Sequence, residues 1–508
     1  MKLHTLATFV SLGLYVSADS ILFNPPGFPP LPNPGQAQQK SAPTGLNLND
    51  IQGDILIGMR KPVELFFFFS IANATAFKKQ LKANLPLITT TMQILSNTTA
   101  SPSTLVNIAF SQTGLTALGL TGAANNLNDS AFAAGQVNDV KNLSDPGTVN
   151  WVPQFVGTKI HGVVLLGSDK QANIDNTLAS LKTKFGNSVN ELYSLKGAMR
   201  PAPNKGHEHF GFLDGISNPT ITGFQDPKPG QAVVPAGEIL VGLPGDNVTR
   251  PAWAKDGSFL VFRQLKQLVP EFNKFLADNP IVEPGLSKKQ GSDLLGARMV
   301  GRWKSGAPIV LSPMFDDPRL GADENRNNNF TFAEPGQTQS NLTDQSKCPL
   351  SAHIRKTRPR ADLGLPESAS SFHHIVRAGI PYGPEVTAVE TSSNKTTIER
   401  GLAFVAYQSN IANGFQFLQE FWANNQRFRQ PGVGFDPIIG AAAGAARPVN
   451  GLDPTNPARS LTLTTGEHVF LICPTHSSNN LDADFVVSRG GEYFFAPSLS
   501  ALAKTLTA

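Results

Sequence analysis

The sequence is low in charge, and its charges nearly balance. Only 16% of its 508 residues are charged, and 42 Lys and Arg against 38 Asp and Glu give a formal net charge of +4. A charge this small over this length does not indicate a nucleic-acid partner. With 40% hydrophobic residues, the composition also excludes a long disordered chain or a solvated coiled coil. No apolar run after the N-terminus reaches the roughly 20 residues that cross a bilayer. We therefore expect a globular protein of two to four domains, or two large ones, without a membrane partner.

Side chains that oxidise easily are also scarce. The chain has 6 Met, 2 Cys, 5 Tyr and 4 Trp, whereas it has 33 Phe. A Phe-rich core would explain this bias by itself, and so would a protein that works beside a strong oxidant. The composition leaves both interpretations open.

Several catalytic signatures are absent from the sequence. It has no Gly-x-Ser-x-Gly nucleophile elbow, no His-Glu-x-x-His zinc helix, no phosphate-binding or dinucleotide Gly-rich loop, and no Cys-x-x-Cys-His for covalent haem attachment. An enzyme with this sequence must therefore use dispersed carboxylates, histidines and arginines, or a cofactor that binds non-covalently.

The N-terminus has the features of a secretory signal. An apolar segment, residues 5–16, leads into the small-residue cleavage site Val16-Ser17-Ala18. Eight Asn-x-Ser/Thr sequons agree with a secretory route. They lie at Asn73, Asn97, Asn128, Asn142, Asn247, Asn329, Asn341 and Asn394. We expect residues 1–18 to be a signal peptide and the protein to be secreted and glycosylated. Cys348 and Cys473 would then form one disulfide or remain two buried thiols.

The composition after the signal changes twice. Residues 19–45 are rich in Pro, Gly, Asn and Gln, which predicts a linker or propeptide that does not pack. Packed structure is expected from about Leu46, as an N-terminal domain over 46–225 and a C-terminal domain over 226–508.

Predicted helices and strands are interspersed but do not alternate regularly, which favours an α+β fold. Apolar runs predict strands over 63–71, 162–166, 259–265 and 401–408. Helical spacing predicts helices over 76–84, 172–185, 271–277 and 414–424. Polar or Gly-rich excursions are expected over 315–347 and 436–465.

Three segments combine reactive side chains with glycine or proline. Residues 207–219 (HEHFGFLDGISNP) place Asp214 between glycines. Residues 348–360 (CPLSAHIRKTRPR) carry one histidine followed by four basic residues, and residues 372–384 (FHHIVRAGIPYGP) carry one arginine before a turn. The basic cluster suits an anionic, carboxylate-bearing ligand.

Each segment also has a purely structural interpretation. An Asp between glycines forms a turn, the basic cluster could be a solvated face, and the third segment a corner between strand and loop. His207 and His209 would face one way on a strand, as a metal pair does, but no third ligand is in view.

Together, and in this order, the three segments resemble the dye-decolorizing peroxidases, a family of haem peroxidases. Gly211 to Gly215 is similar to the family's Gly-x-x-Asp-Gly motif, and Asn218-Pro219 follows it as in the family. Further similar stretches lie at 50–56, 114–119, 406–410, 414–418 and 490–496. The resemblance covers about residues 46–505, and the signal and sequons favour the secreted fungal branch. It implies two ferredoxin-like halves, each an antiparallel sheet flanked by helices, with haem in the C-terminal half.

The resemblance also implies how one non-covalent haem b is held. His353 stands where the family's proximal iron ligand stands, and His373 and His374 are the alternatives. Arg360 would reach a haem propionate. The hydrogen-bond acceptor behind His353 is not readable from the sequence.

On the open side of the haem, the resemblance makes Asp214 the acid–base shuttle for hydrogen peroxide and Arg377 the charge that stabilises O–O cleavage. A ferryl intermediate would then oxidise bulky substrates such as anthraquinone-type dyes and phenolic compounds. Because such substrates do not reach a buried haem, Tyr382 and Trp422 are expected to relay electrons as surface aromatics. Since an Asp ionises well below a His, an acidic pH optimum is expected.

Three alternatives remain from the residues alone. The first is a haem-binding protein without turnover, and the second is a secreted hydrolase that uses two carboxylates, with Asp214 as one. The third is a structural adhesion module without a cofactor. For the peroxidase we expect a monomer or weak oligomer.

Overall fold

The computed structural model describes residues 27–58, 60–96, 103–157, 159–365, 371–456, 458–463 and 484–508. The predicted signal peptide, Asn97 and Cys473 lie outside these residues. Cys348 is buried, and both expectations for Cys348 and Cys473, one disulfide or two buried thiols, stay predictions. Within the described part of the chain, no helix is long and apolar enough to span a membrane.

The strands are numbered in chain order. They are β1 (Val63–Ile71), β2 (Leu105–Phe110), β3 (Gly162–Ser168), β4 (Val189–Ala198), β5 (Thr220–Ile221), β6 (Val233–Val234), β7 (Ser258–Gln267), β8 (Val376–Arg377), β9 (Ile380–Tyr382), β10 (Gly401–Gln408), β11 (Arg447–Val449), β12 (Leu461–Leu463) and β13 (Val486–Ala496). All four predicted strands are confirmed, with ends that differ by up to two residues.

Nine strands form one sheet that closes on itself as a barrel. Their order is β7-β13-β2-β3-β1-β4-β9-β10-β8, and β10 also pairs with β7. Neighbouring strands are antiparallel, as in β1 with β3 and β7 with β10. The α+β class and the antiparallel halves are therefore confirmed. The halves meet at two single pairs, Phe110 with Phe495 and Gly197 with Tyr382.

The phenylalanine run of β1 shows why the barrel strands are apolar throughout. Successive side chains of a strand point to opposite faces. Phe66 and Phe68 pack in the same core as Phe262 of β7, whereas Phe67 and Phe69 pack in a second core with Phe77. Because both faces of β1 are covered by a core, apolar and polar residues do not alternate along this strand.

The α-helices flank the barrel and are also numbered in chain order. They are α1 (Pro34–Ser41), α2 (Asp54–Ile57), α3 (Ala74–Asn84), α4 (Thr91–Ser96), α5 (Gln112–Ala117), α6 (Ser130–Ala134), α7 (Gln171–Phe185), α8 (Ala236–Ile239), α9 (Val269–Asp278), α10 (Lys288–Val300), α11 (Pro318–Ala322), α12 (His353–Thr357), α13 (Ala388–Ser393), α14 (Phe415–Phe417) and α15 (Leu499–Ala501). The predicted helix over 414–424 is α14 continued by a π-helix, Leu418–Ala423.

Residues 27–45 are packed, which corrects the expectation that this part of the segment 19–45 would not pack; residues 19–26 lie outside the described residues. The prolines and glycines that indicated a linker include Pro34, which stands at the start of α1, where proline is favoured. Ala37 of this helix is fully buried, and Phe28 is 5% exposed. The boundaries predicted at residues 18, 45 and 225 stay predictions.

Candidate active site

A cavity of about 290 Å³ lies against β7, β10 and β13, and the three sequence segments converge on it. Asp214, His353 at the start of α12, Arg360 and Arg377 of β8 all line this front cavity. Much of the remaining wall is apolar and includes Ile216, Phe330, Ile354, Leu402, Phe404 and Phe415.

His353 is held by a buried carboxylate that the sequence did not reveal. Its Nδ1 lies 2.8 Å from Oδ2 of Asp436, which is fully buried. The other oxygen of Asp436 accepts hydrogen bonds from the amides of Ile438 at 2.8 Å and Ile439 at 3.0 Å. The carboxylate is therefore fixed by its own turn and in turn fixes the ring.

The electrostatics of this pair are mutual. Burial alone would raise the pKa of Asp436, but the charge and hydrogen bond of His353 and two amides hold that pKa below its usual value. Burial alone would lower the pKa of His353, and Asp436 raises it instead. An imidazole with Nδ1 donating to a carboxylate presents Nε2 as a basic metal ligand.

Asp214 and Arg377, which also line the front cavity, form an ion pair. Nη1 of Arg377 donates to Oδ1 of Asp214 at 2.5 Å, and the amide of Gly215 donates to the same oxygen at 2.7 Å. Burial alone would raise the pKa of Asp214, but Arg377 and these hydrogen bonds keep it below its usual value. The carboxylate is thus an ionised base at the cavity wall.

The backbone of Arg377 is clamped from two sides. Asn218 donates from Nδ2 to the Arg377 carbonyl at 2.9 Å and accepts from the Arg377 amide at 3.2 Å. Gly58 approaches the same carbonyl with φ +59°, and a Cβ there would lie 2.4 Å from the oxygen. Asn218 follows the Gly-x-x-Asp-Gly motif in the sequence. The sequence therefore placed Asn218 near the site but did not predict its hydrogen bonds to Arg377.

The arginines beside the cavity are anchored to the 315–347 excursion. Arg360 donates to the Phe330 carbonyl at 2.6 Å and to the Asn328 side chain at 2.7 Å, and its guanidinium lies 4.0 Å from the Phe330 ring centre. Arg302 and Arg358 also line the cavity. The excursion therefore forms part of the cavity wall, and the propionate role of Arg360 stays a prediction.

The other candidate histidines are engaged elsewhere. His209 is buried and its Nε2 lies 2.9 Å from the Tyr382 carbonyl, while His207 is half-buried. No cluster of three His, Cys, Asp or Glu side chains that could hold a metal ion occurs among the described residues. His373 and His374 line the front cavity, but Nδ1 of His373 lies 2.6 Å from the Asn413 carbonyl.

The two residues expected to relay electrons are buried, which corrects their placement at the surface. Tyr382 is 4% exposed because it lies in β9 of the barrel, and its hydroxyl donates to Glu399 at 3.1 Å. Trp422 is 9% exposed and packs with Phe428. The Trp422 ring lies 5.4 Å from that of His373, which borders the front cavity. Their role in electron transfer stays a prediction.

A haem fits the residues that line this cavity. The cavity wall offers an imidazole backed by a carboxylate and, from other segments of the chain, an ion pair. The apolar rings suit a flat macrocycle, and the arginines suit its carboxylates. His353 would hold the iron, and Arg358 and Arg360 bring positive charge to the cavity wall.

Comparison with known families covers most of the chain. Residues 50–201 match the DyP dimeric alpha+beta barrel domain, and residues 206–430 match the C-terminal domain of Dyp-type peroxidases. A solved decolorizing peroxidase from Auricularia auricula-judae superposes with a TM-score of 0.83 at 51% identity, over 91% of this chain and all of that one.

Full-length relatives agree with the domain matches. The chain is 54% identical to Peroxidase 2 of Mycetinis scorodonius, over 96% of this chain and 93% of that protein. It is 51% identical to a dye-decolorizing peroxidase of Auricularia auricula-judae, over 96% and 92% of the two chains. The chain therefore belongs to the dye-decolorizing peroxidases, oxidoreductases that use peroxide.

Proposed function

We propose that this protein is a secreted peroxidase that binds one haem b in the front cavity and uses hydrogen peroxide to oxidise bulky dyes and phenolic compounds. One observation carries the proposal: His353, which is held by Asp436, and the Asp214–Arg377 pair line the same cavity. A firm ligand on one side and an acid–base pair on the other are what a peroxidase requires. A haem carrier needs no such pair, and a hydrolase leaves the histidine and its carboxylate unexplained.

On the ligand side, Asp436 sets the state of the ring. Its Oδ2 accepts from Nδ1 of His353, which keeps the proton on that nitrogen and leaves Nε2 to bind iron. When bound, haem supplies the iron that cleaves peroxide and stores its two oxidising equivalents.

On the peroxide side, the residues move one proton and stabilise one charge. The carboxylate of Asp214 takes the proton from one peroxide oxygen and returns it to the oxygen that leaves as water. Arg377, which remains charged at all working pH values, stabilises the negative charge that develops as the O–O bond lengthens. Because Arg377 keeps the pKa of Asp214 low, the base stays ionised in acid.

Bulky substrates are proposed to deliver electrons from outside the cavity. Relatives named for dye decolorization support this substrate class. Trp422 is the better relay candidate, since its ring lies 5.4 Å from His373 at the cavity wall. If Trp422→Phe and Tyr382→Phe both leave anthraquinone-dye turnover intact, neither residue relays electrons.

Secretion rests on the N-terminal signal and the sequons. All seven sequon asparagines within the described residues are exposed: Asn73, Asn128, Asn142, Asn247, Asn329, Asn341 and Asn394. Exposure permits glycosylation at each of them. Recovery of the protein in the culture medium, with a mass that falls on enzymatic deglycosylation, tests this part of the proposal. The enzyme is proposed to act as a monomer or weak oligomer.

The first test is a visible spectrum of the purified protein, before and after one equivalent of hydrogen peroxide. We expect a haem band that shifts with peroxide and returns when an anthraquinone dye is added. In Asp214→Asn the haem band should remain while the response to peroxide slows strongly. A haem band indifferent to peroxide would indicate a haem carrier, and no band after reconstitution with hemin would refute the proposed cofactor.

A further inference from the structure

A second, smaller cavity lies behind Asp214. It measures about 30 Å³ and is lined by Lys61, His207, Glu208, Asp214 and, from the N-terminal segment, Phe28. One water needs about 10–15 Å³ of such space, so this rear cavity has room for about two waters. Asp214 and Glu208 line both cavities, so these two carboxylates stand between them.

The rear cavity borders a buried charged cluster that the proposed chemistry does not use. Lys61 is 5% exposed, and its ammonium donates to Oδ1 of Asp54 and to Oε1 of Glu64, the latter at 3.0 Å. Tyr407 donates to the other oxygen of Asp54 at 2.9 Å. The cluster joins two of the family-like stretches, 50–56 and 406–410, across the barrel.

Of this cluster, Lys61 lines the rear cavity, and the other members hold it there. An ammonium has three donors, and two of those on Lys61 reach carboxylates, so one donor is available to water. Oε2 of Glu64 is buried and has no hydrogen-bond partner in the described structure. A buried polar atom of this kind is normally satisfied by an ordered water. Burial also raises the pKa of Glu64 to about 8, so this carboxyl can hold a proton.

The proposed reaction consumes protons inside the protein. Bulky substrates that stay at the surface cannot deliver these protons to the cavity. One hydrogen peroxide takes up two electrons and two protons to give two waters. Cleavage of the O–O bond only moves a proton from one peroxide oxygen to the other, so both added protons enter while the enzyme is being reduced. A dye that gives electrons at the surface releases its protons there. If haem fills the front cavity, the rear cavity offers a route by which protons reach Asp214 from behind.

We propose that the rear cavity is the proton inlet of this enzyme, in which water connects Asp214 to solvent past His207 and Lys61 positions that water. The proposal rests on the proposed function. Asp54, Glu64 and Tyr407 hold Lys61, and Glu208 is the other carboxylate on the cavity wall. Lys61 is thus a positioning residue.

The test separates the two halves of the reaction in the holoenzyme by stopped-flow absorbance. One equivalent of hydrogen peroxide starts the first step, and ferrocyanide, a donor without transferable protons, drives the second. In Lys61→Met we expect the ferrocyanide step to slow by roughly 10- to 100-fold, a size typical of a disturbed proton transfer. The peroxide step should stay within about twofold of the wild type, because it takes up no proton. The exposed Lys79→Met is the matched control.

A second variant covers the case in which Lys61→Met does not fold. Met199 lines the rear cavity without carrying charge, so Met199→Phe displaces the water and leaves every ionisable group in place. It should slow the ferrocyanide step alone and enlarge its D2O effect. A crystal structure of the wild-type holoenzyme should show one or two ordered waters between Lys61 and Asp214.

The outcomes are distinct. The proposal that the rear cavity is the proton inlet would be refuted if neither variant slowed the ferrocyanide step. It would also be refuted if the peroxide step and the ferrocyanide step slowed equally. A dry rear cavity in the crystal would overturn it as well. If instead the wild type binds no haem or ignores peroxide, the proposed function itself fails, whatever the variants do.

Discussion

Asp436→Asn tests the arrangement behind His353 with a minimal change in shape. The asparagine oxygen can keep the hydrogen bonds from the amides of Ile438 and Ile439, so the turn should persist. The asparagine NH2 then faces Nδ1 of His353, where Oδ2 now accepts at 2.8 Å. Because an amide nitrogen only donates, Nδ1 must become the acceptor, and the ring proton moves to Nε2. That is the nitrogen assigned to iron.

We expect haem to bind roughly 10- to 100-fold more weakly in this variant, the usual effect of losing a partner behind a metal-binding histidine. This corresponds to about 1.4–2.7 kcal/mol of binding free energy. The full burial of Asp436 favours the upper part of the range, because no solvent can replace the acceptor. Titration of the apoprotein with hemin, followed at the haem band, measures the affinity directly.

Asp453→Asn is the matched control for this experiment. Asp453 also accepts from amides of its own turn, those of Thr455 and Asn456 at 3.1 Å each, but its carboxylate pairs with Arg459 and not with a histidine. Its substitution should leave haem affinity unchanged. Equal affinities for wild type and Asp436→Asn would refute the role given to Asp436, and so would an equal loss in the control.

Three further predictions concern the charges and backbone around the site. Arg377→Met removes the charge that lowers the pKa of Asp214, so the acid limb of the peroxide reaction should move to higher pH; an unmoved limb in rapid-mixing pH profiles would exclude this coupling. Glu390 pairs with Arg400 at 2.6 Å with both fully buried, and Glu390→Gln should cost about 3–5 kcal/mol of unfolding free energy near pH 6. Because folding lowers the pKa of Glu390, ionised Glu390 stabilises the fold fully above about pH 4.3, and this stabilisation is lost as pH falls. In denaturant melts, the difference in unfolding free energy between wild type and Glu390→Gln should therefore shrink towards pH 3. A difference that does not change with pH would contradict the role given to the Glu390–Arg400 pair. Gly58→Ala places a Cβ at φ +59° against the Arg377 carbonyl and should lower stability by about 1–3 kcal/mol and slow the peroxide reaction; wild-type values for both would show that the clamp is not needed.

The sequence predicted those strands, helices and site residues that are marked by a pattern in a short stretch of neighbouring residues. The apolar runs over 63–71 and 401–408 became barrel strands because burial on both faces makes their composition continuous. Asp214, His353 and Arg377 converge as the family resemblance implied, since each lies in a short segment with its own pattern.

Features that depend on contacts between residues far apart in the sequence could not be predicted. Asp436 acts on a residue 83 positions away, and nothing in its local sequence marks it as an acceptor. The barrel closes through single residue pairs between its halves, which leave no periodic signal. Residues 27–45 were misjudged on composition, because their prolines and glycines are compatible with a short helix whose Ala37 packs in the core.

The closed barrel also determines when during synthesis the fold can be completed. The final strand, β13, pairs with β7 and touches β2, and Gln52 near the start donates to the Pro497 carbonyl at 2.8 Å. The barrel therefore cannot close until β13 has been synthesised, and contacts of such long sequence separation form slowly. Until then the open edges of β2 and β7 can pair with other chains. Loss of β13 alone would leave the barrel open.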